Sequence, residues 1–164
     1  MKVKLSTRIS NLWLCFKYPF LRPWNRWSGK RVKLFGWFGR YTELDAMPDA
    51  WKNDFGIKMT KEIAQALKKT GGRKAVRAYR ITQIKEKYGS LRWYDYNTTD
   101  EVLRIISKYT HYSTTICQYC GKKADYCTGG WITYLCGDCL RKEVGSDIDI
   151  EQYNRKNWED EADE

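Results

Sequence analysis

Four cysteines near the C-terminal end constrain this chain more than any other feature. Cys117 and Cys120 form one Cys-x-x-Cys pair, Cys136 and Cys139 form a second, and fifteen residues separate the pairs. Two residues between cysteines let the backbone turn so that both thiolates face one point, and two such turns at this separation match a four-cysteine zinc site. Gly121 follows the first pair and Gly137 lies inside the second, where tight backbone turns are expected. All four positions are sulfur, so no coordination position is left for a water nucleophile. The spacing therefore predicts one structural zinc ion and no catalytic one. Two disulfides, or four thiols in an apolar core, are the alternative readings of the same residues. Cys127 lies between the pairs and is either a substitute ligand or a small buried apolar residue, and Cys15 reads as the latter.

Four thiolates around a divalent cation leave a net charge of about −2, and Lys122, Lys123, Arg141 and Lys142 are placed to offset it. No signal peptide is visible. The longest early apolar run, residues 12–16, is too short for a signal core or a membrane span, which places the chain in a reducing cytoplasm.

Ahead of the cysteines, the pattern predicts an α+β fold in which a helix, a β-hairpin and a second helix are extended by the zinc ribbon. Trp51, Phe55, Met59, Ile63 and Leu67 recur every four residues behind Pro48, which suits a first helical position, and Gly71 and Gly72 are expected to end that helix. Residues 78–96 are rich in β-branched and aromatic side chains on both sides of Gly89 and Ser90, a hairpin signal. Thr98 with Glu101 reads as a capping box, followed by the apolar positions Val102, Ile105, Ile106 and Tyr109. Residues 131–134 are read as a strand returning to the second cysteine pair. The expected organisation is a basic aromatic arm at 1–42, an α+β core at 43–114, the ribbon at 115–142 and an acidic tail at 143–164.

Charge is distributed along this frame with a clear polarity. Of the formal +10, residues 1–42 contribute ten basic side chains and no acidic one, and residues from 143 onward contribute nine acidic against two basic. Tyr18-Pro19 and Arg22-Pro23 disfavour a continuous helix, so the arm reads as irregular with short extended pieces. Cations alternating with flat rings are the combination that single-stranded nucleic acid requires, phosphate neutralisation together with base stacking. Arg22, Trp24, Arg26, Trp27, Lys30, Arg31, Lys33 and Trp37 are the candidate contacts. A protein partner ranks second, internal packing third, and a membrane surface last because no clear amphipathic helix is seen. The tail carries Ile148, Ile150, Tyr153 and Trp158, which suit partial docking on the body, and its charge suits covering the basic surface.

An active site is not expected. His111 is the sole histidine, no phosphate-binding glycine loop or nucleophile elbow occurs, and Asp95, Asp100 and Glu101 read better as a loop carboxylate and a helix N-terminus than as a magnesium site.

The run Ile-Lys-Glu-Lys-Tyr-Gly-Ser-Leu-Arg-Trp-Tyr at 84–94, the helix after it, and Gly-Gly-Trp-Ile-Thr-Tyr-Leu-Cys at 129–136 resemble a group of small zinc-ribbon proteins of bacteriophages and their bacterial hosts. The segment Tyr-Pro-Phe-Leu-Arg-Pro-Trp-Asn-Arg-Trp at 18–27 looks like the leading segment of proteins from phages of gut bacteria. The resemblance implies a phage or prophage origin and supports metal binding at the four cysteines. It carries over no activity. Some members end the ribbon with histidine where this chain has Cys139, and either residue is a competent zinc ligand. The expected role is a non-enzymatic accessory protein that binds nucleic acid or a nucleoprotein complex in the host cytoplasm. The alternative is a protein-binding inhibitor of a host antiphage factor, its acidic tail imitating nucleic acid. No small-molecule substrate is expected.

Overall fold

The computed structural model describes residues 4–25, 27–33 and 37–145, and within them the chain mixes helices with small antiparallel hairpins. The N-terminal segment corrects the irregular reading: residues Leu5–Lys17 form helix α1. Proline restricts the residue immediately before it and leaves positions further upstream free. Pro19 therefore stops the helix at Tyr18 without preventing it. A 3-10 turn, Pro19–Leu21, then buries Phe20 and Leu21. Strands β1 (Trp24–Asn25) and β2 (Lys30–Arg31) pair antiparallel, with the Asn25 side chain accepting from the amides of Trp27 and Ser28 at 3.0 Å each.

After Trp37 the chain crosses directly over α1. A Cβ on Gly39 would lie 2.3 Å from the Arg8 carbonyl oxygen, and the Asn11 side-chain amide donates to the Gly39 carbonyl at 2.9 Å. Cys15, Tyr18, Phe20, Leu21 and Trp37 thereby join one apolar cluster with Trp51, Phe55, Met59, Ile63, Leu67, Tyr79, Leu91 and Trp93. Three aromatic residues of the first segment, Tyr18, Phe20 and Trp37, are core, whereas Trp13, Phe16, Trp27, Phe38 and Tyr41 are exposed.

Pro48 precedes the next helix as its N-cap and is not its first residue. The opening turn Asp49–Trp51 passes through a π turn, Lys52–Gly56, into helix α2, Ile57–Ala78. Apolar residues spaced strictly by four drift by about 40° per step on a helix of 3.6 residues per turn. The π turn fits one more residue into a turn and takes up part of that drift, so Trp51, Phe55, Met59, Ile63 and Leu67 are all buried. Gly71 and Gly72 leave helical geometry (φ −146° and +62°), but the chain resumes as helix to Ala78 and buries Val76. The first helical stretch ends at this pair as expected, and a second, short one follows it across the kink.

Strands β3 (Arg80–Lys87) and β4 (Ser90–Tyr96) form the expected hairpin. Tyr88 and Gly89 both take positive φ, 54° and 68°, as a two-residue primed turn demands. A register shift between Ile81 and Gln83 brings Ile81 and Ile84 to the same buried face despite their spacing of three. Tyr79 carries a buried network, accepting from Trp93 Nε1 at 2.9 Å and donating to Asp95 at 2.7 Å. Helix α3 (Asp100–Ser113) is capped by Thr99, whose hydroxyl accepts from the Val102 amide at 3.4 Å. The cap is thus one residue later than the expected Thr98, and Glu101 pairs with Arg104 at 2.8 Å. Helix α3 packs on both β4 and α2, with the Tyr109 hydroxyl donating to Glu62 at 2.9 Å.

Candidate metal centre and basic surface

Each cysteine pair is presented by a different local structure. The first lies in a turn where the Gly121 amide donates to the Cys117 carbonyl at 2.9 Å, and Gly121 has φ +78°. The Cys117 amide closes the turn on the Lys122 carbonyl at 2.6 Å. The second pair opens helix α4, Gly137–Val144: Cys136 is the N-cap and accepts the Cys139 and Leu140 amides at 3.1 and 2.9 Å, so Cys139 sits on the first turn. Strands β5 (Tyr126–Cys127) and β6 (Tyr134–Leu135) pair between them and hold the turns together. The expected strand at 131–134 is shorter than its sequence suggests, because Thr128 closes the loop by accepting from the Thr133 amide at 2.8 Å and donating to the Trp131 carbonyl at 2.6 Å.

The four sulfurs all lie within 4.8 Å of one another, and those of Cys120 and Cys136 are 3.5 Å apart. A tetrahedral cage with metal–sulfur bonds of about 2.3 Å has sulfurs about 3.8 Å apart, whereas a disulfide needs about 2.05 Å. All six cysteines are free thiols, so the disulfide reading is set aside. Burial raises the Cys117 thiol, but backbone amides of Cys136, Cys120 and Tyr119 donating to its sulfur outweigh that and bring it down to about 7. The thiol of Cys139 is pushed up by burial and by the neighbouring sulfurs of Cys120 and Cys117. The surroundings thus ease ionisation of Cys117, while a full set of thiolates repels itself and a divalent cation would remove that repulsion. The donor set fits a soft or borderline metal.

Around the cage, the expected compensating cations are partly engaged elsewhere. Lys122 bonds Asp138 at 2.8 Å, Lys123 bonds Asp125 at 2.8 Å, and Arg141 lies 4.0 Å from Asp138. Cys127 stays outside the cage, half-buried, with its sulfur 3.7 Å from the Thr128 carbonyl. Cys15 is buried in the main core, which pushes its thiol up to about 12. Among the described residues no second group of cysteine, histidine and carboxylate ligands gathers, and Asp95, Asp100 and Glu101 do not form one. His111 is exposed in the last turn of α3.

The candidate contacts of the arm divide sharply by burial. Trp37 is 1% exposed, with its indole N–H donated to the Tyr41 carbonyl, so it is a packing residue with no free face for stacking. Trp24 is half-buried between the guanidinium groups of Arg80 (3.9 Å) and Arg31 (5.0 Å). Arg31 bonds the Pro19 carbonyl, and burial followed by repulsion from Arg22 holds its guanidinium below the ordinary range. Arg22 donates to the Val32 carbonyl at 2.5 Å and lies 5.7 Å from the Trp37 ring. Trp27 is 100% exposed in the β1–β2 turn, and Lys30 and Lys33 are exposed beside it in sequence. Arg26, and the tail residues Ile148, Ile150, Tyr153 and Trp158, lie outside the described residues.

A second surface was not anticipated from sequence. Tyr119 and Trp131, both exposed, join Gln118, Thr133, Glu143 and Val144 in lining a groove of about 290 Å³ on the cysteine module, and the Gln118 Oε1 is buried there without a hydrogen-bond partner among the described residues. Reading Trp131 as strand concealed it. The signal was the glycine pair at 129–130, which places the tryptophan in a loop. Comparison with protein-family models, with curated proteins and with solved structures finds no match to this chain.

Proposed function

We propose that the four cysteines hold one structural zinc ion as a zinc ribbon, and that the protein is a phage-type, non-enzymatic accessory protein that binds nucleic acid or a nucleoprotein complex. Zinc is the choice among soft metals because a four-thiolate tetrahedral cage satisfies it fully and leaves it no open position for catalysis. The observation carrying the binding role is Trp27, a large aromatic ring wholly in solvent on a turn that is followed by the exposed Lys30 and Lys33, in a segment without one acidic side chain. An exposed ring in a basic segment offers a base a stacking surface and its phosphates a counter-charge. In the same segment Arg31 lies over the Trp24 ring and Arg22 over the ring of the buried Trp37, which ties these cations to the folded body.

Binding to labelled single- and double-stranded oligonucleotides over a salt series tests this. Affinity should fall steeply with salt, and Trp27→Ala should weaken single-strand binding by about 1–3 kcal/mol, the usual worth of one stacked base, with the melting temperature unchanged. Absence of binding at low salt overturns the reading. The Tyr119–Trp131 groove on the ribbon favours the second role, an inhibitor of a host defence protein, which a pull-down from nuclease-treated host lysate would then reveal.

A further inference from the structure

Helix α1 has two apolar faces, and among the described residues only one of them is packed against the core. Its inner face turns Asn11 and Cys15 into the core, with Leu12 and Leu14 packed at the edge. Its outer face carries Leu5, Ile9, Trp13 and Phe16, which are 65, 58, 59 and 87% exposed. At about 100° per residue these four fall within an arc of about 80°, a continuous stripe along the helix. Packing among the described residues does not account for it.

The charges around the stripe restrict what covers it. Lys4 and Lys17 are exposed at the two ends, and the Lys17 ammonium lies 4.9 Å from the Trp13 ring centre. Exposed Arg40 adjoins Gly39, which touches the α1 backbone at Arg8. No acidic residue occurs before Glu43. A second copy docking stripe to stripe would bring like charges together, which opposes that interface. Nucleic acid matches the cations and can stack bases on Trp13 and Phe16, but it has no use for the exposed aliphatic Leu5 and Ile9 of the same stripe.

We infer that α1 is an in-plane anchor that lays its Leu5, Ile9, Trp13 and Phe16 face into an anionic bilayer surface, with Lys4, Lys17 and Arg40 at the level of the headgroups. Acyl chains take the apolar stripe, aromatic rings suit the boundary, and anionic lipid supplies the counter-charge that residues 1–42 do not carry themselves. A helix of thirteen residues is about 20 Å long, short of a bilayer's hydrocarbon thickness, and among the described residues no helix is long and apolar enough to cross a membrane. The helix lies flat on the surface.

Co-sedimentation of the full chain with vesicles of phosphatidylcholine alone, and of phosphatidylcholine mixed with phosphatidylglycerol, tests the assignment. The chain should pellet with the anionic vesicles and not with the neutral ones. The double variant Ile9→Gln with Phe16→Gln should lower the partition coefficient roughly tenfold or more, since both side chains face solvent in the fold and lose only membrane burial. Its melting temperature and its oligonucleotide affinity should stay at the wild-type values, which separates failure here from failure of the nucleic-acid reading. Equal pelleting with both vesicle types, or a double variant that binds as tightly as wild type, overturns the inference. So does a concentration-dependent dimer in sedimentation velocity that the double variant dissolves, because the stripe then belongs to a second copy.

Discussion

The main core and the cysteine module are held together by different physics. The first buries Phe20, Trp37, Trp51, Phe55, Tyr79 and Leu91 in one cluster drawn from α1, α2, α3 and the β3–β4 hairpin. The second has Leu135 and Leu140 as its fully buried apolar side chains, and its remaining centre is the sulfurs of Cys117, Cys136 and Cys139. Polypeptide stretches below about 40 residues rarely bury enough surface to fold without a cross-link or a metal. The main core stands on apolar burial, whereas the module depends on whatever joins its sulfurs. The two touch where the hairpin turn meets β6: a Cβ on Gly89 would lie 2.7 Å from a ring carbon of Tyr134.

Metal removal is the strongest way to break that comparison. A chelator, or Cys136→Ser, should withdraw a contribution on the order of 10 kcal/mol and unfold residues 115–145 alone. Hydrogen exchange would show the Leu140 amide, bonded to the Cys136 carbonyl, losing protection while the amides of α2 keep theirs. Loss of protection in α2 at the same time would show a single cooperative unit. The converse perturbation is Trp51→Ala, which empties a fully buried site and should cost about 3–5 kcal/mol in a denaturant melt. Elemental analysis of the folded variant should still find the wild-type metal content, because Trp51 and the cysteines belong to separate clusters.

Smaller and more local is Gly89→Ala. The added methyl meets the Tyr134 ring, and φ of +68° strains any residue with a Cβ, so a loss of about 1–3 kcal/mol is expected. In a double-mutant cycle, Tyr134→Ala should relieve the steric part and leave the backbone part, a positive coupling that sharpens where one region ends and the other begins. Strict additivity would mean that the turn and the ring do not press on each other.

By itself the sequence determined the features that depend on short-range chain geometry. Two residues between cysteines aim two sulfurs at one point whatever surrounds them, so the four cage residues were legible from spacing alone, and Gly121 and Gly137 marked the turns. The hairpin about Gly89 and the apolar stripes of α2 and α3 were legible for the same reason, since their periods are local. Tertiary structure alone decided the fate of the first forty residues. A tryptophan followed by cations reads identically whether its ring packs inward or faces water, and only long-range packing separated the buried Trp37, the half-buried Trp24 and the wholly exposed Trp27. Prolines at 19 and 23 masked α1, whose outward apolar face became visible only once its inward face had found the core. Burial is a property of what arrives from elsewhere in the chain, and a pattern confined to one segment does not contain it.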